Sequence, residues 1–240
     1  MNTWKDAWAI FLKDLRVDRM YLIWNVIFMI YTGGMIGLML RGREEAGHVL
    51  DPMADFLILI LIPFLGFYFS RRSFSYIKED SYTQMLLYYR TLPISEKTIM
   101  KSRLIQLVSA LLFNGLILFS VIYSIFLVFD IEITLVQYLT FALTWIGYSL
   151  AMNGLFIHLE FTRKGRTYLW LTFLLMFIVG LGTVAIAWFD GSLLDMTMDF
   201  SKRYGLRSPL MWGVLAGGIV LLGTLSSITR KTMHKRDLAR

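Results

Sequence analysis

The chain has no cysteine and only three histidines, which lie far apart. Without cysteine it can form neither a disulfide nor a thiolate metal site. The histidines (His48, His158 and His234) form no ligand cluster, and the sequence contains neither the G-x-x-x-x-G-K-[ST] phosphate loop nor the H-E-x-x-H zinc motif. We therefore expect no catalytic residue, no cofactor and no metal site, so if the chain moves a substrate, the energy must come from another polypeptide.

Charged residues are also scarce, at 17% of the chain, and they separate long apolar runs. Hydrophobic residues make up 57% of the sequence, whereas a soluble domain has roughly 45–50%. Six apolar runs approach or exceed the ~20 residues that a helix needs to cross ~30 Å of hydrocarbon. The runs are residues 20–40, 54–70, 104–129, 135–156, 168–189 and 209–228. The sequence therefore predicts one all-α membrane domain, residues 1–240, with six spans.

The second run is the shortest and contains Pro63. We expect a kink at this proline and a helix that continues past Arg71 into the cytosol. At the other end of the chain, the connection 190–208 has room for short helices on the outer leaflet. A solvated loop is an equally good interpretation of that connection.

The basic residues predict the orientation. Nineteen of the twenty-four Lys and Arg residues precede the first run or follow the second, fourth or sixth. Because cytosolic loops collect Lys and Arg, both termini are predicted to be cytosolic. The net charge of +7 indicates lipid headgroups rather than nucleic acid, because the basic residues flank apolar runs instead of forming a stripe.

Residues 1–19 have the pattern of an amphipathic helix rather than of a cleavable signal. The apolar positions at helical spacing are Trp4, Trp8, Phe11, Leu12 and Leu15, and the rest of the circumference carries Lys5, Asp6, Lys13, Asp14 and Arg16. Tryptophan is typical of the headgroup layer, so we predict an interfacial helix. The alternative is a solvated helix that packs on a partner.

The loop 71–103 is the longest polar stretch between two apolar runs. Ser81 and Gln84 form a capping-box pattern, which predicts the start of a helix. Pro93 is expected to end this helix. Ser95 is expected to cap the next one, which starts at Glu96 and continues into the third span. The predicted product is a short transverse helix between spans two and three.

This layout resembles the permeases of type-2 ABC exporters, which have a coupling helix at this position. The resemblance rests on the six-span layout and on Tyr89-Arg90-Thr91-Leu92-Pro93-Ile94-Ser95, with Lys101 and Arg103 downstream. It implies that the loop docks on a separate ABC ATPase subunit. The implied docking residues are Met85, Leu86, Tyr88, Tyr89, Arg90, Leu92 and Pro93. It also implies an exporter in a bacterial-type plasma membrane that pairs with a second copy or a sister permease.

Two alternatives remain open for this loop and for the chain. The loop could be a solvated basic segment that only satisfies topology. The chain could be a non-transporting membrane scaffold or immunity protein whose loop binds another partner. Neither alternative needs an ATPase.

Few polar residues lie inside the runs. Asn25, Asn114, Ser149 and Asn153 are possible contacts along a substrate pathway, although uncharged polar residues in spans more often form packing contacts between helices. No charged residue lies deep within a run, which disfavours ion-coupled transport.

Overall fold

The computed structural model describes residues 3–46, 51–70, 73 and 79–235, without the side chains of residues 43–46, 82, 90, 234 and 235. This part of the chain is 88% helical and has no strand, so the all-α prediction is confirmed. Its helices are α1 (Thr3–Val17), α2 (Tyr21–Ala46), α3 (Asp51–Leu61), α4 (Ser81–Thr91), α5 (Glu96–Val128), α6 (Leu135–Thr162), α7 (Gly165–Trp188), α8 (Leu193–Tyr204) and α9 (Pro209–Lys235). Two 3-10 helices cover Ile62–Gly66 and Gly205–Arg207.

Within the described ranges, five helices are long and apolar enough to cross a membrane: α2, α5, α6, α7 and α9. They correspond to the first run and to the third to sixth runs of the sequence. With 33 residues, α5 is about 50 Å long at 1.5 Å per residue, so it exceeds the hydrocarbon thickness. The predicted continuity of this helix from Glu96 is confirmed.

The second run, residues 54–70, is not a continuous helix. α3 ends at Leu61, the 3-10 helix Ile62–Gly66 follows, and residues 67–70 have no regular secondary structure. Pro63 lies in the first turn of the 3-10 helix, where its missing N–H and its ring prevent the α-helix from continuing. The prediction of a sixth continuous spanning helix is therefore not confirmed, and the expected continuation past Arg71 is wrong because the helix breaks before it. Arg71 itself lies outside the described residues. We call residues 62–70 the broken segment.

Short helices are present within residues 1–19, where the sequence predicts one, and within 190–208, where it allows short helices or a solvated loop. α1 lies within residues 1–19 and packs on α5, with Phe11 buried in a cluster with Tyr68 and Ala110. α8 lies within the connection 190–208, so that connection is not simply a solvated loop. Whether α1 lies in the membrane interface stays a prediction.

α6 is the central helix of the bundle. It packs closely along α9, where a Cβ on Gly218 would collide with the backbone carbonyl of Gly147. Small residues allow such close contact between helix backbones in membrane proteins. On its other sides α6 contacts the broken segment and α8. It therefore positions the broken segment relative to the rest of the bundle.

Candidate functional site

α4 is held at both ends by features of the loop around it. Its N-cap is Asp80, in a left-handed conformation with φ 45°, which Asp tolerates better than most residues. The Asp80 carboxylate accepts a hydrogen bond from the Gly165 N–H at the start of α7, at 2.8 Å. Pro93 comes directly after Leu92, the C-cap of α4. The Ser95 hydroxyl caps α5 by accepting from the Thr98 N–H at 3.3 Å. The predictions for the end of α4 and for the cap of α5 are confirmed.

The predicted capping box is wrong. Ser81 is already the first helical residue, one position later than the cap. The Gln84 side chain donates instead to the carbonyl of Glu79, at 2.7 Å. The physical reason is the left-handed turn at Asp80, which starts the helix one residue earlier than the Ser-x-x-Gln pattern indicates.

The predicted docking residues of α4 divide between two faces. Leu86 and Tyr89 are buried in the core of the chain, at 4% exposure each, and Met85 and Leu92 are half-buried. Tyr88 is 51% exposed and Pro93 is also exposed. The Arg90 side chain lies outside the described part of the chain. The role of all seven in docking stays a prediction.

The sequence reading missed one exposed residue of this helix, Leu87, at 44% exposure. Leu87 lies beside Tyr88. The stretch 85–89 consists entirely of apolar and aromatic residues, so its sequence does not show which of them face outward. Among the side chains of α4 that the structure describes, Gln84, Leu87, Tyr88 and Thr91 are exposed, and we call them the docking face.

The buried side of α4 contacts α1, and α1 in turn contacts α5. The Tyr89 hydroxyl donates to a carboxylate oxygen of Asp14 at 3.3 Å, and the Lys13 ammonium lies 5.2 Å from the centre of the Tyr88 ring. At the N-terminal end of α1, Lys101 of α5 donates to the Thr3 hydroxyl at 2.7 Å. α4, α1 and the start of α5 are therefore connected by direct side-chain contacts.

Near α4, an ion pair joins α5 to α6. The Arg103 guanidinium donates from Nε and Nη2 to Oε2 of Glu160, at 3.1 and 3.0 Å, and both side chains are only 8% exposed. The guanidinium also lies 5.3 Å from the ring of Phe67 in the broken segment. In the sequence Arg103 stands at the end of a polar loop. Its carboxylate partner Glu160 is 57 positions away, so no local pattern indicates the pair.

The four predicted pathway residues converge on the broken segment. All four are fully buried. Asn114 donates through Nδ2 to the carbonyls of Leu65 and Phe67, at 3.1 and 2.8 Å. Asn25 donates to the Asn114 side-chain oxygen and accepts from the Phe69 N–H at 3.0 Å.

The other two residues hold the start of the broken segment from α6. Ser149 donates to the carbonyl of Ile62 at 3.2 Å, and Asn153 donates to the carbonyl of Pro63 at 2.9 Å. We call Asn25, Asn114, Ser149 and Asn153 the polar clamp. A break in a membrane helix is tolerated when neighbouring helices bond the freed backbone groups, and the clamp does this from α2, α5 and α6.

A cavity of about 400 Å³ lies between the broken segment, α6 and α7. Its lining is almost entirely apolar and includes Phe64, Phe67, Met152, Phe156, Phe173 and Met176. The hydroxyl of Tyr148, also in the lining, donates to the Leu59 carbonyl at 2.8 Å. The cavity therefore suits an apolar molecule or the apolar part of an amphipathic one.

A comparison with protein families places these features in context. The model of the family described as ABC-2 family transporter protein matches residues 9–229, nearly the whole chain. The chain belongs to the ABC-2 transporter family. No curated protein and no solved structure matches it significantly. The resemblance to ABC permeases is confirmed, and the apolar helices agree with a multi-pass membrane protein.

In this ABC-2 permease, side-chain contacts extend from α4 towards the cavity. The docking face is on α4, the Arg103–Glu160 pair lies nearby between α5 and α6, and the polar clamp holds the broken segment that borders the cavity. No group of three or more His, Asp and Glu side chains within the described ranges could hold a metal ion. The described residues thus combine an exposed helix face, side-chain contacts between helices and an apolar cavity.

Proposed function

We propose that this ABC-2 permease is the membrane subunit of an ATP-driven exporter and that it docks through α4 on a separate ATPase subunit. The observation that carries the proposal is the two-sided nature of α4. Its docking face presents Leu87 and Tyr88 outward, while Tyr89 and Asp80 fix it to α1 and α7. Exposed aromatic and apolar side chains are typical anchors of protein interfaces.

The contacts of α4 support a mechanical route from the ATPase to the cavity. A displacement of α4 acts on α7 through the Asp80–Gly165 hydrogen bond, and on α1 through the Tyr89–Asp14 hydrogen bond. α7 forms one wall of the cavity, and α6 and the broken segment form the others. Closure of the ATPase subunits would move α7 relative to α6 and change access to the cavity.

We also propose that the broken segment completes a sixth crossing and that both termini are cytosolic. One end of the second run lies beside α8, where Asp55 accepts from the Leu193 N–H at 2.6 Å. At the other end the Tyr68 hydroxyl shares a hydrogen bond with the Ser109 hydroxyl at 2.9 Å, next to α1. An α-helix, a 3-10 turn and an extended stretch of these lengths together reach up to about 40 Å, enough to cross the hydrocarbon.

The outer surface and the cavity support further parts of the proposal. Only Gly165 and Thr183 of α7 are buried, and its exposed side carries large apolar residues such as Trp170 and Phe177. This face can meet lipid or a second copy or sister permease. The apolar cavity favours hydrophobic or amphipathic cargo, such as small peptides and drugs.

Affinity purification tests the docking proposal. A tagged permease is extracted from its native membranes in mild detergent, and the retained polypeptides are assayed for ATP hydrolysis. We expect an ABC ATPase to be retained, and Leu87→Glu with Tyr88→Glu to lose it, because charge in an apolar contact is left without a partner. Tyr204→Glu is the matched control, because Tyr204 is an exposed tyrosine on α8.

Two results would count against the proposal. Retention of the ATPase by a correctly folded Leu87→Glu/Tyr88→Glu variant would show that α4 is not the docking element. Absence of any ATPase from the unmodified permease would favour the scaffold or immunity protein instead.

A further inference from the structure

α1 exposes its basic side chains and turns its acidic ones towards the protein. In α1 the basic residues Lys5, Lys13 and Arg16 are exposed and the acidic residues Asp6 and Asp14 are half-buried, and in the turn after it Arg19 is exposed and Asp18 is half-buried. Asp14 accepts the hydrogen bond from Tyr89. The surface that α1 leaves uncovered is therefore positively charged, although the helix as a whole contains both signs.

Apolar side chains lie within the same exposed surface. Trp4, Trp8, Leu12 and Arg16 are all exposed, and their i, i+4 spacing places them in one row along the helix. Lys5, Ala9 and Lys13 form the neighbouring row and are also exposed. Phe11 points the other way and is buried against Tyr68 and Ala110. We call the two exposed rows the lipid face.

We propose that the lipid face binds the acidic phospholipids of the membrane surface. Tryptophan and leucine enter the boundary between headgroups and acyl chains, and Lys and Arg beside them meet phosphate groups. Electrostatic attraction to anionic lipid adds to apolar burial, so the separation of charges makes acidic lipid a better partner than neutral lipid. In α1 every exposed charged side chain is basic, and a solvated helix gives no reason to combine this with two exposed tryptophans.

This lipid contact would also fix the position of α4. Lys13 lies over the Tyr88 ring and Asp14 accepts from Tyr89, so α1 contacts both tyrosines of the transverse helix. On the same helix, Thr3 accepts from Lys101 of α5. α1 thus lies between the membrane surface and the docking element.

A fluorescence experiment on the full chain tests the proposal without any ATPase, so its failure is distinct from a failure of the docking proposal. Ala9→Cys introduces one thiol into a chain that has no cysteine, and the thiol is labelled with an environment-sensitive dye. The protein is reconstituted in vesicles of phosphatidylcholine alone or mixed with phosphatidylglycerol. Acrylamide, which is uncharged, measures how accessible the dye is.

We expect acrylamide to quench the dye at least about twofold less strongly in the acidic vesicles than in the neutral ones. High salt should remove this difference. Lys5→Gln with Arg16→Gln should abolish the lipid dependence. Lys202→Gln with Arg203→Gln is the control, because these exposed basic residues lie on α8, and it should retain the dependence.

Each other outcome overturns the proposal. Equal shielding in both lipids would show apolar anchoring without recognition of acidic lipid. Equal exposure in both would show that the lipid face meets a protein partner or solvent. An unchanged lipid dependence in the Lys5→Gln/Arg16→Gln variant would show that these cations do not bind the lipid.

Discussion

The Asn114 side chain donates hydrogen bonds to two backbone carbonyls of the broken segment, those of Leu65 and Phe67. Asn114→Leu keeps the size of the side chain but leaves both carbonyls without this donor. Each unsatisfied buried group costs about 1–3 kcal/mol, so we expect a lower unfolding temperature in detergent. Thermal unfolding followed by size-exclusion chromatography measures it.

Ser124→Ala is the matched control for this substitution. The Ser124 hydroxyl is exposed and donates to Ser120 of its own helix, so we expect a change within about 0.5 kcal/mol. If Asn114→Leu unfolds at the same temperature as the control, the polar clamp does not stabilise the broken segment.

Gly66 is the position where a single methyl group should disturb the clamp. A Cβ on this residue would overlap the side-chain amide of Asn153, whereas a Cβ on Gly182 of α7 would meet nothing within 4 Å. We expect Gly66→Ala to destabilise the protein by about 1–3 kcal/mol and Gly182→Ala to be neutral or slightly stabilising. Comparison of the two melting curves checks the geometry, and equal curves would contradict it.

The Arg103–Glu160 pair makes a prediction that needs a double-mutant cycle. Glu160→Gln leaves the buried guanidinium without its counter-ion, which costs about 3–5 kcal/mol. The cycle uses Arg103→Met, Glu160→Leu and the variant with both, which should cost clearly less than Glu160→Leu alone because no buried charge is left unpaired. Strictly additive losses of stability would mean that the two side chains do not act as a pair.

At the scale of the elements, the sequence predicts the long helices well because each one is recorded in a local apolar run. The break in the second run is different. Pro63 is visible in the sequence, but whether it kinks the helix or ends it depends on side chains from α2, α5 and α6. Their bonds to the broken segment join residues more than forty positions apart, and no local pattern records such a bond.

The candidate site shows the same limit. The sequence predicts a short helix between the Ser81 cap and Pro93, and the structure has a helix over Ser81–Thr91. It does not record which side of that helix is buried, because Leu86 and Tyr89 are buried by contacts with distant residues such as Asp14. The capping box failed for a similar reason, since Asp80 is bound to the start of α7.

The connection between α1 and α4 can be tested by removing one oxygen atom. Tyr89→Phe keeps the buried ring but loses the hydrogen bond to Asp14, which is worth about 0.5–1.5 kcal/mol. We expect trypsin to cleave within α1, after Lys13 or Arg16, about two- to tenfold faster. Tyr88→Phe, which changes an exposed ring, is the control and should be cleaved at the original rate. Equal rates for both variants would mean that this hydrogen bond does not hold α1.

At the scale of the whole molecule, the number of crossings decides which residues share a side of the membrane. If the broken segment crosses, Lys5 and Lys97 lie on the same side and Lys202 lies opposite. If it does not, Lys5 and Lys97 are separated. Single cysteines at these three exposed positions can be labelled with a membrane-impermeant thiol reagent in intact cells.

We expect only Lys202→Cys to react before the cells are opened, because nineteen of the twenty-four basic residues would then be cytosolic. Reaction at Lys97→Cys but not at Lys5→Cys would show that the second run turns back without crossing. Reaction at both would invert the orientation.

The broken segment also has a consequence for how this chain can vary among its relatives. The polar clamp bonds main-chain carbonyls and an amide, which almost every residue type supplies, so a change of side chain within 62–70 need not remove these hydrogen bonds. Pro63 and Gly66 are exceptions, since one creates the break and the other leaves room for Asn153. Natural selection would therefore preserve the side chains of the polar clamp more strictly than the sequence of the broken segment. Related permeases with diverged second runs should keep amide or hydroxyl side chains at the positions of Asn25, Asn114, Ser149 and Asn153.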